Sequence, residues 1–274
     1  MAERPIYKTI KGGPQSLYSY LKEVAASRNL IWSFAVRDLR VQYAQTYLGI
    51  FWSLVQPLTG LIIFNFFFQR VIHLSLKVPY AVFAFTGIMG WFYFTALVGQ
   101  AGTSLMANQQ LIKKIQFPRL VLPLSKALVG LVEFSISLVL LLIMLFWFDI
   151  GISSKIVFLP MVLVANVITG LSVGIWMSAL TIRFRDLHHF IPYLIGFGIW
   201  LTPVFYPSTM VPENYKWIYY LHPVANVIAL YRWIFIGLPV DFAQVACSFT
   251  IAVLIFVAGL FFFVRNEKFV SDYV

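Results

Sequence analysis

The chain alternates long apolar stretches with short polar connections. Six stretches contain few charged residues, at positions 49–71, 80–105, 120–148, 156–182, 190–205 and 245–264. Most of them reach the roughly 20 residues that an α-helix needs to cross a hydrocarbon core of about 30 Å. The strict alternation of apolar and polar residues that marks a transmembrane β-barrel is absent. Because helices satisfy their own backbone hydrogen bonds in lipid, the pattern predicts an all-α integral membrane protein with six transmembrane helices in each protomer.

The segment before the first stretch, at 15–48, is amphipathic. Its apolar residues recur at helical spacing, while Arg37 and Arg40 fall together on another face. This pattern predicts an interfacial helix that lies in the membrane surface with its apolar side down. Its basic face either simply contacts solvent and lipid, or guides an anionic head group, because guanidinium groups match the geometry of phosphate.

The connection between the fifth and sixth stretches, 206–241, is unusually apolar for a loop. Residues 224–236 are too few to span a membrane, and prolines interrupt the segment. We therefore predict short re-entrant helices on the outer side. The candidate aromatic residues in this segment are Tyr206, Trp217, Tyr219, Tyr220, Tyr231 and Trp233. They fit either a plain belt of aromatic residues at the membrane interface or a gate that contacts sugars.

The positive charges fall mainly on one side of the predicted bundle. With the N-terminus in the cytosol, fifteen of the 20 lysines and arginines lie in cytosolic segments. This bias follows the positive-inside rule and predicts that both termini are cytosolic. The net charge of +10 then needs no nucleic acid to explain it.

Composition supports a single membrane domain over residues 1–274. Hydrophobic residues make up 61% of the chain and charged residues 11%, and the mean hydropathy is +0.85. We divide the domain into the interfacial helix at 15–48, a six-span bundle at 49–264 and a cytosolic tail at 265–274. Since the first apolar run begins near Gly49, no cleavable signal peptide is expected.

The cysteines and histidines predict no metal site and no internal disulfide. Cys247 is the only cysteine in the chain. His188 and His189 are adjacent, so on a helix their side chains point about 100 degrees apart and do not chelate one metal ion.

Two cytosolic loops contain clusters of charge. The first, at 108–119, is short, basic and interrupted by Pro118, which fits either a simple turn or a docking helix for a cytosolic partner. The second contains Arg183, Arg185 and Asp186 at the end of the fourth span. This cluster either terminates a helix or adds an ion pair between Arg183 and Asp186 at helical spacing.

Glu133 is the one acidic residue well inside a predicted span. An unpaired carboxylate in lipid costs several kcal/mol, so we expect Glu133 to face protein or water. It is a candidate for function or for a structural hydrogen bond.

Several motifs resemble those of type-2 ABC exporter permeases for polysaccharides, in order and spacing over about residues 30–265. Gln45-Thr-Tyr-Leu-Gly-Ile-Phe-Trp52 resembles the entry to their first span, and Leu111-Ile-Lys-Lys114 with Phe117-Pro-Arg119 resembles the region of their coupling helix. Arg183-Phe-Arg-Asp-Leu187 and Leu201-Thr-Pro-Val-Phe-Tyr-Pro207 are similar to their later loops. His222 stands where relatives often carry Asn.

The resemblance implies a permease subunit that is not itself an enzyme. Such a subunit forms a homodimer and pairs with two copies of a cytosolic nucleotide-binding subunit, which binds ATP and Mg²⁺. In agreement, the chain contains no phosphate-cradling G-x-x-x-x-G-K-[ST] run, and we expect no cofactor in this chain. The residues that would couple the permease to its ATPase are Gln109, Lys113, Lys114, Phe117 and Arg119.

The family's cargo is a long glycan on a lipid pyrophosphate. The resemblance thus implies export of such a glycan, most simply O-antigen, across the bacterial inner membrane, with Arg37 and Arg40 guiding the pyrophosphate. Capsular polysaccharide, teichoic acid, or a small drug or lipid are alternative cargoes. A secondary carrier is a weaker alternative because no internal repeat accompanies Glu133, and an enzyme is disfavoured because no catalytic cluster is evident.

Overall fold

A computed structural model describes residues 16–47, 49–71, 76 and 78–273. This part of the chain is helical and contains no β-strand. Its α-helices are α1 (Leu17–Ala26), α2 (Arg28–Tyr43), α3 (Trp52–Asn65), α4 (Tyr80–Ala96), α5 (Ser104–Ala107), α6 (Gln109–Lys114), α7 (Val121–Trp147), α8 (Leu159–Arg183), α9 (Leu187–Leu201), α10 (Trp217–Tyr220), α11 (Pro223–Ile236) and α12 (Phe242–Tyr273).

Five helical segments among the described residues are long and apolar enough to cross a membrane. They correspond to five of the six predicted spans, and they are Gly49–Gln69, Tyr80–Ala101, Val121–Trp147, Ser154–Arg183 and Phe242–Glu267. Two of them continue α3 and α4 through π-helical turns, at Phe66–Val71 and Leu97–Ala101. The protein is therefore an all-helical, multi-pass membrane protein.

The run predicted as the fifth span, 190–205, forms a helix of similar length that begins three residues earlier and ends four residues earlier. Helix α9 has 15 residues and ends at Leu201, because Thr202 takes an extended conformation with φ −94° and ψ 136°. Thr202 precedes Pro203, and the residue before a proline is pushed away from the helical region. Six spans therefore remain a prediction, with α9 as the element on which that count depends.

The predicted interfacial helix consists of two helices, α1 and α2. Between them, Ser27 breaks the helical pattern, and its N–H donates to the carbonyls of Glu23 and Val24. Helix α2 packs along α7, and Phe34 and Ala35 form its buried side. The amphipathic pattern thus identified the helices, but not the break.

Helix α4 forms the centre of the bundle. In the most apolar window of its span, 83% of the residues are buried, against 11% for the first span. Glycines allow other elements to approach α4 closely. A Cβ atom on Gly87 would lie 2.6 Å from the carbonyl oxygen of Val204, and one on Gly90 would lie 2.9 Å from Cδ2 of Tyr231.

The connection 206–241 contains the helices α10 and α11. That these helices re-enter the membrane from the outer side stays a prediction. Helix α11 has 14 residues, begins with Pro223 and ends at Gly237, whose φ of 70° requires the left-handed conformation that glycine favours. It packs against α4 and α8. Residues from 265 onward, which we predict to form a tail, continue α12 as a helix to Tyr273.

Candidate functional site

A cavity of about 970 Å³ lies between the C-terminal end of α2 and helices α3, α4, α7 and α9. Its wall combines apolar rings with polar side chains from all five helices. The polar group includes Gln42, Tyr43, Gln56, Gln100, Glu133 and His188. A cavity of this size with a few converging polar groups has the character of a ligand-binding site.

Glu133 lies in the wall of this cavity and is hydrogen-bonded to the interfacial segment. Gln42 Nε2 donates to Glu133 Oε1 over 2.6 Å, and the hydroxyl of Tyr43 donates to the same oxygen over 3.1 Å. Burial, followed by the negative charge of Glu133, raises the pKa of Tyr43 to about 12. The hydroxyl therefore stays protonated and donates, so it ties the end of α2 to α7.

The structure separates Arg37 and Arg40, which the sequence analysis paired. The Arg37 guanidinium contacts Asp38 Oδ1 over 2.7 Å and donates to Asn108 Oδ1 over 2.9 Å. Lys126 Nζ on α7 completes the network at 2.7 Å from Asp38 Oδ2. Arg37 thus links α2 to the loop 108–119, whereas Arg40 is exposed and makes no ion pair within the described residues.

The loop predicted to couple to an ATPase contains the short helix α6. Lys113 and Lys114 at its C-terminal end are exposed, and Gln109 at its start is half-buried. Phe117 instead packs inward, with its ring centroid 5.5 Å from that of Phe34 on α2. Gln110, Ile115 and Gln116 are exposed as well, so the pair of lysines is part of a larger exposed surface of this loop.

Arg119 belongs to a junction between three parts of the chain. Its backbone N–H donates to Glu267 Oε1 over 2.8 Å, and its guanidinium donates to the Glu267 carbonyl oxygen. The Leu120 N–H donates to the Tyr20 hydroxyl over 3.1 Å. Burial and the nearby Glu267 carboxylate raise the pKa of Tyr20 well above its usual range. This junction joins α1, the loop 108–119 and the end of α12, so Arg119 has an internal structural role.

The charged cluster after α8 does not form the ion pair that helical spacing predicts. Arg183, Arg185 and Asp186 are all exposed, and no ion pair joins Arg183 to Asp186, both of which the structure describes. The reason is that α8 ends at Arg183, and Phe184 adopts φ −120° and ψ 89°. The Arg183 guanidinium lies 5.4 Å from the Phe184 ring centroid instead.

The aromatic residues of the connection 206–241 divide into exposed and buried rings. Trp217 is 60% exposed, and the hydroxyls of Tyr206 and Tyr219 lie 3.3 Å apart. Tyr231 is 0% exposed and accepts a hydrogen bond from Asn166 Nδ2 over 3.3 Å. Its ring therefore has no surface for a sugar in this protomer, because α11 turns it toward α4 rather than outward.

Trp233 is partly covered by other side chains, and the Tyr220 side chain lies outside the described residues. The ring centroids of Phe158 and Phe242 each lie 5.5 Å from that of Trp233. Lys155 Nζ is 4.9 Å from the same centroid. This set looks more like a packed interfacial cluster than an open sugar platform.

Arg232 is a structurally important residue that was not among the predicted site residues. It is 5% exposed, and its NH1 and NH2 atoms donate to the carbonyl oxygens of Pro203 and Val204 over 2.7 and 2.6 Å. Its guanidinium also lies 3.7 Å from the Phe83 ring centroid. A single arginine within the apolar run 224–236 was the available signal, since such a charge needs a partner.

Comparison with known proteins agrees with this architecture. The family profile described as ABC-2 type transporter matches residues 29–236. The chain is 31% identical to an O-antigen export system permease protein RfbA of Klebsiella pneumoniae over 228 residues, which cover 83% of this chain and 88% of that protein. It is 27% identical to the protein of the same name from Myxococcus xanthus over 256 residues, 92% of this chain and 98% of that one. The polysialic acid transport protein KpsM of Escherichia coli is 22% identical over 201 residues, 72% of this chain and 77% of that protein. The chain belongs to the ABC-2 type transporter family.

Proposed function

We propose that this chain is the transmembrane subunit of an ATP-driven exporter. Its cargo is a polysaccharide linked to a lipid pyrophosphate, O-antigen in the first instance, which moves from the cytosolic to the outer side of the bacterial inner membrane. The observation that carries the proposal is similarity, over most of both chains, to relatives named as O-antigen export permeases. The cavity of about 970 Å³, to which five helices contribute polar side chains, supports it.

ATP hydrolysis requires a separate subunit in this proposal. Two copies of a cytosolic nucleotide-binding protein bind ATP and Mg²⁺ and contact the loop that contains α6, where Lys113 and Lys114 are exposed. Movement of this loop reaches the membrane surface through α2, because Arg37 and Phe34 bind the loop at Asn108 and Phe117. The chain itself is a transporter subunit and not an enzyme.

The functional unit in this proposal is a homodimer with both termini in the cytosol. The first span supports this assembly, because only 11% of its most apolar window is buried within the protomer. Exposed large side chains also line α9, including Phe197 and Trp200. A second copy that covers α3 and α9 would enclose a path for cargo between the two protomers, and lipid covers the remaining apolar surface.

Capsular polysaccharide is the second candidate cargo. The specific observation in its favour is the 22% identity to a polysialic acid transport protein over 72% of this chain. Both cargoes are long glycans, so the two candidates differ in the polymer and not in the kind of transport.

Deletion of the gene in its host tests the proposal. We expect the lipid-linked glycan to accumulate on the cytosolic face and the cell surface to lose that glycan until the intact gene is restored. Chemical analysis of the accumulated polymer then distinguishes O-antigen from capsule. An unchanged surface glycan, in a host without a second exporter, would refute glycan export and favour a small drug or lipid as cargo.

A further inference from the structure

We propose that His222 is a pH-sensitive latch between the end of α9 and the start of α11: its neutral imidazole holds the first turn of α11, and a proton on Nδ1 releases that turn. This inference goes beyond the proposed function, because it concerns how a conformation is controlled and does not depend on the cargo. Three features carry it: the position of His222 before α11, the direction of the hydrogen bonds at its ring, and the roles of the groups around it.

His222 is the N-cap residue of α11. Its backbone is extended, with φ −107° and ψ 93°, and Pro223 begins the helix. The first N–H groups of a helix have no partner within the helix itself. His222 Nδ1 accepts a hydrogen bond from the N–H of Ala225 over 3.3 Å, and this third position is one that N-cap side chains commonly bind. The imidazole therefore supplies a missing acceptor and stabilises the start of α11.

The partners of the two ring nitrogens determine which nitrogen carries the hydrogen. Nε2 lies 3.4 Å from Oγ1 of Thr202. The Thr202 hydroxyl donates its own hydrogen to the carbonyl of Gly198 on α9 over 2.8 Å, so it acts as an acceptor toward the imidazole. Because Nδ1 accepts from Ala225, the neutral ring carries its hydrogen on Nε2 and donates it to Thr202. A chain of hydrogen bonds therefore runs from α11 through the imidazole to α9.

A proton on Nδ1 breaks this chain at one end. The imidazolium ring has a donor at both nitrogens, so Nδ1–H then faces the N–H of Ala225, and the contact becomes repulsive. The contact between Nε2 and Thr202 keeps its direction. Protonation therefore removes the cap of α11 and leaves the ring bound to the end of α9.

The partial burial of His222 determines the pH range of this event. Burial lowers the pKa of His222, and a hydrogen bond with its own backbone opposes that shift. When the cap is open, the imidazole is hydrated and has its ordinary pKa of about 6.5. Since the capped form binds the proton less well than the open form, the cap is fully stable above about pH 6.5 and loses stability as the pH falls below that value.

Neighbouring groups on the polar side of this junction have partners of their own. The hydroxyls of Tyr206 and Tyr219 lie 3.3 Å apart, and burial raises the pKa of Tyr219 above its usual range. Glu213 and Lys216, which precede α10, form an ion pair with each other. These four side chains therefore make bonds other than the link between α9 and α11.

The charged and titratable groups on the other neighbouring elements also bind elsewhere. Arg232 on α11 and Tyr80 on α4 donate to backbone carbonyls of the segment after α9. Asp241 accepts hydrogen bonds from N–H groups at the start of α12. His188 and His189 lie at the opposite end of α9. Histidine is the residue whose ordinary pKa lies between pH 5 and 8, so His222 is the titratable link between α9 and α11 among the described residues.

Release of the first turn of α11 reaches α10 through Asn226. This residue lies one turn after His222, and its Nδ2 donates to the carbonyl oxygens of Tyr219 over 2.8 Å and His222 over 3.3 Å. These two bonds tie α10 to α11, so a first turn that opens no longer holds α10 in place. In the predicted orientation, this junction is on the outer side, and the proton comes from the outer compartment.

Hydrogen–deuterium exchange of backbone amides tests the latch. The full chain with its partner subunit is placed in lipid nanodiscs, and the protection of amides 225–230, relative to the intrinsic exchange rate, is measured at about pH 7.5 and about pH 5.5. His222→Asn removes the titrating ring and retains a side-chain oxygen that caps a helix. His189→Asn is the matched control, because it makes the same change at an exposed histidine at the other end of α9.

We expect the wild type and His189→Asn to lose protection at the lower pH, whereas His222→Asn keeps the same protection at both. The open form binds a proton with the ordinary pKa of histidine, so one pH unit below that value the open population rises by several-fold and by no more than about tenfold. A second measurement needs no variant. Exchange of the imidazole C2 hydrogen, followed by mass spectrometry over a range of pH, reports the titration of His222, and its midpoint should lie below about 6.5.

Three results would overturn the latch. The first is an equal loss of protection in the wild type and in His222→Asn, which would assign the pH dependence to another group. The second is unchanged protection of the wild type between the two pH values. The third is a titration midpoint of His222 at or above the ordinary value. None of these results bears on the proposed function, which fails instead if the deletion strain retains its surface glycan.

Discussion

Replacing Arg232 tests whether a buried guanidinium fixes the connection after α9. Its two hydrogen bonds hold the carbonyls of Pro203 and Val204, and Tyr80 donates to the next carbonyl, that of Phe205, over 2.8 Å. Three successive carbonyls of this non-helical segment are therefore bound by side chains of α4 and α11. The segment joins α9 to the outer helices, so its loss should loosen the outer end of the bundle.

The magnitude follows from the contacts that Arg232→Met removes. Each hydrogen bond to a charged group contributes about 1.5–3 kcal/mol, and stacking over the Phe83 ring adds about 1–2 kcal/mol when water is excluded. The substitution also removes the cost of burying a charge, so the free energy of unfolding should decrease by about 3 kcal/mol in total. In a chain of this size, that loss corresponds to a decrease in Tm of about 6–12 °C.

Thermal unfolding of the purified protein in lipid nanodiscs, followed by intrinsic fluorescence, measures this loss. Lys155→Met is the matched control, because it removes a cation 4.9 Å from the Trp233 ring centroid on the same side of the protein. An interaction at a partly exposed site contributes about 0.5–1 kcal/mol, so the control should shift Tm by only about 1–4 °C. The reasoning would be refuted if the Tm of Arg232→Met were lower than that of the wild type by no more than the about 1–4 °C expected for the control.

Three further predictions concern α2, the loop that contains α6 and the end of α12. Arg40→Glu should reduce surface glycan without changing Tm, because Arg40 is exposed. Arg37→Glu should reduce surface glycan and also lower Tm, because it breaks the network between α2 and the loop 108–119. Equal unfolding temperatures for the two variants would contradict the distinction. The double variant Lys113→Ala with Lys114→Ala should release the ATPase subunit during affinity purification, and unchanged co-purification would exclude these lysines from the docking contact. Glu267→Ala should destabilise the protein by about 1 kcal/mol in the same unfolding assay, because it removes the acceptor of the part-buried Arg119 N–H. A wild-type Tm would show that water replaces this acceptor.

The helices could largely be predicted from the sequence because their signal is local. Apolar runs of spanning length gave five segments close to their observed bounds, and the short run at 224–236 became α11. The fifth span was the exception. Thr202 and Pro203 end α9 after 15 residues, although the apolar run continues to Phe205, because hydropathy does not register the backbone restriction that a proline imposes on its neighbour.

The partners of charged residues could not be predicted, because they depend on contacts between distant parts of the chain. Arg37 and Arg40 look equivalent on a helical face, yet only Arg37 is close to Asn108, which is 71 residues away in sequence. The position of Glu133 within an apolar run indicated that the carboxylate needs a partner. The sequence did not indicate that Gln42 and Tyr43 are the donors. Both networks are built on α2: Phe34 and Arg37 in its middle contact the loop 108–119, and Gln42 and Tyr43 at its C-terminal end contact Glu133 in the cavity wall. A displacement of the loop therefore has a continuous path of hydrogen bonds and packed rings to Glu133, which makes α2 the element through which docking of a partner and occupancy of the cavity would influence each other.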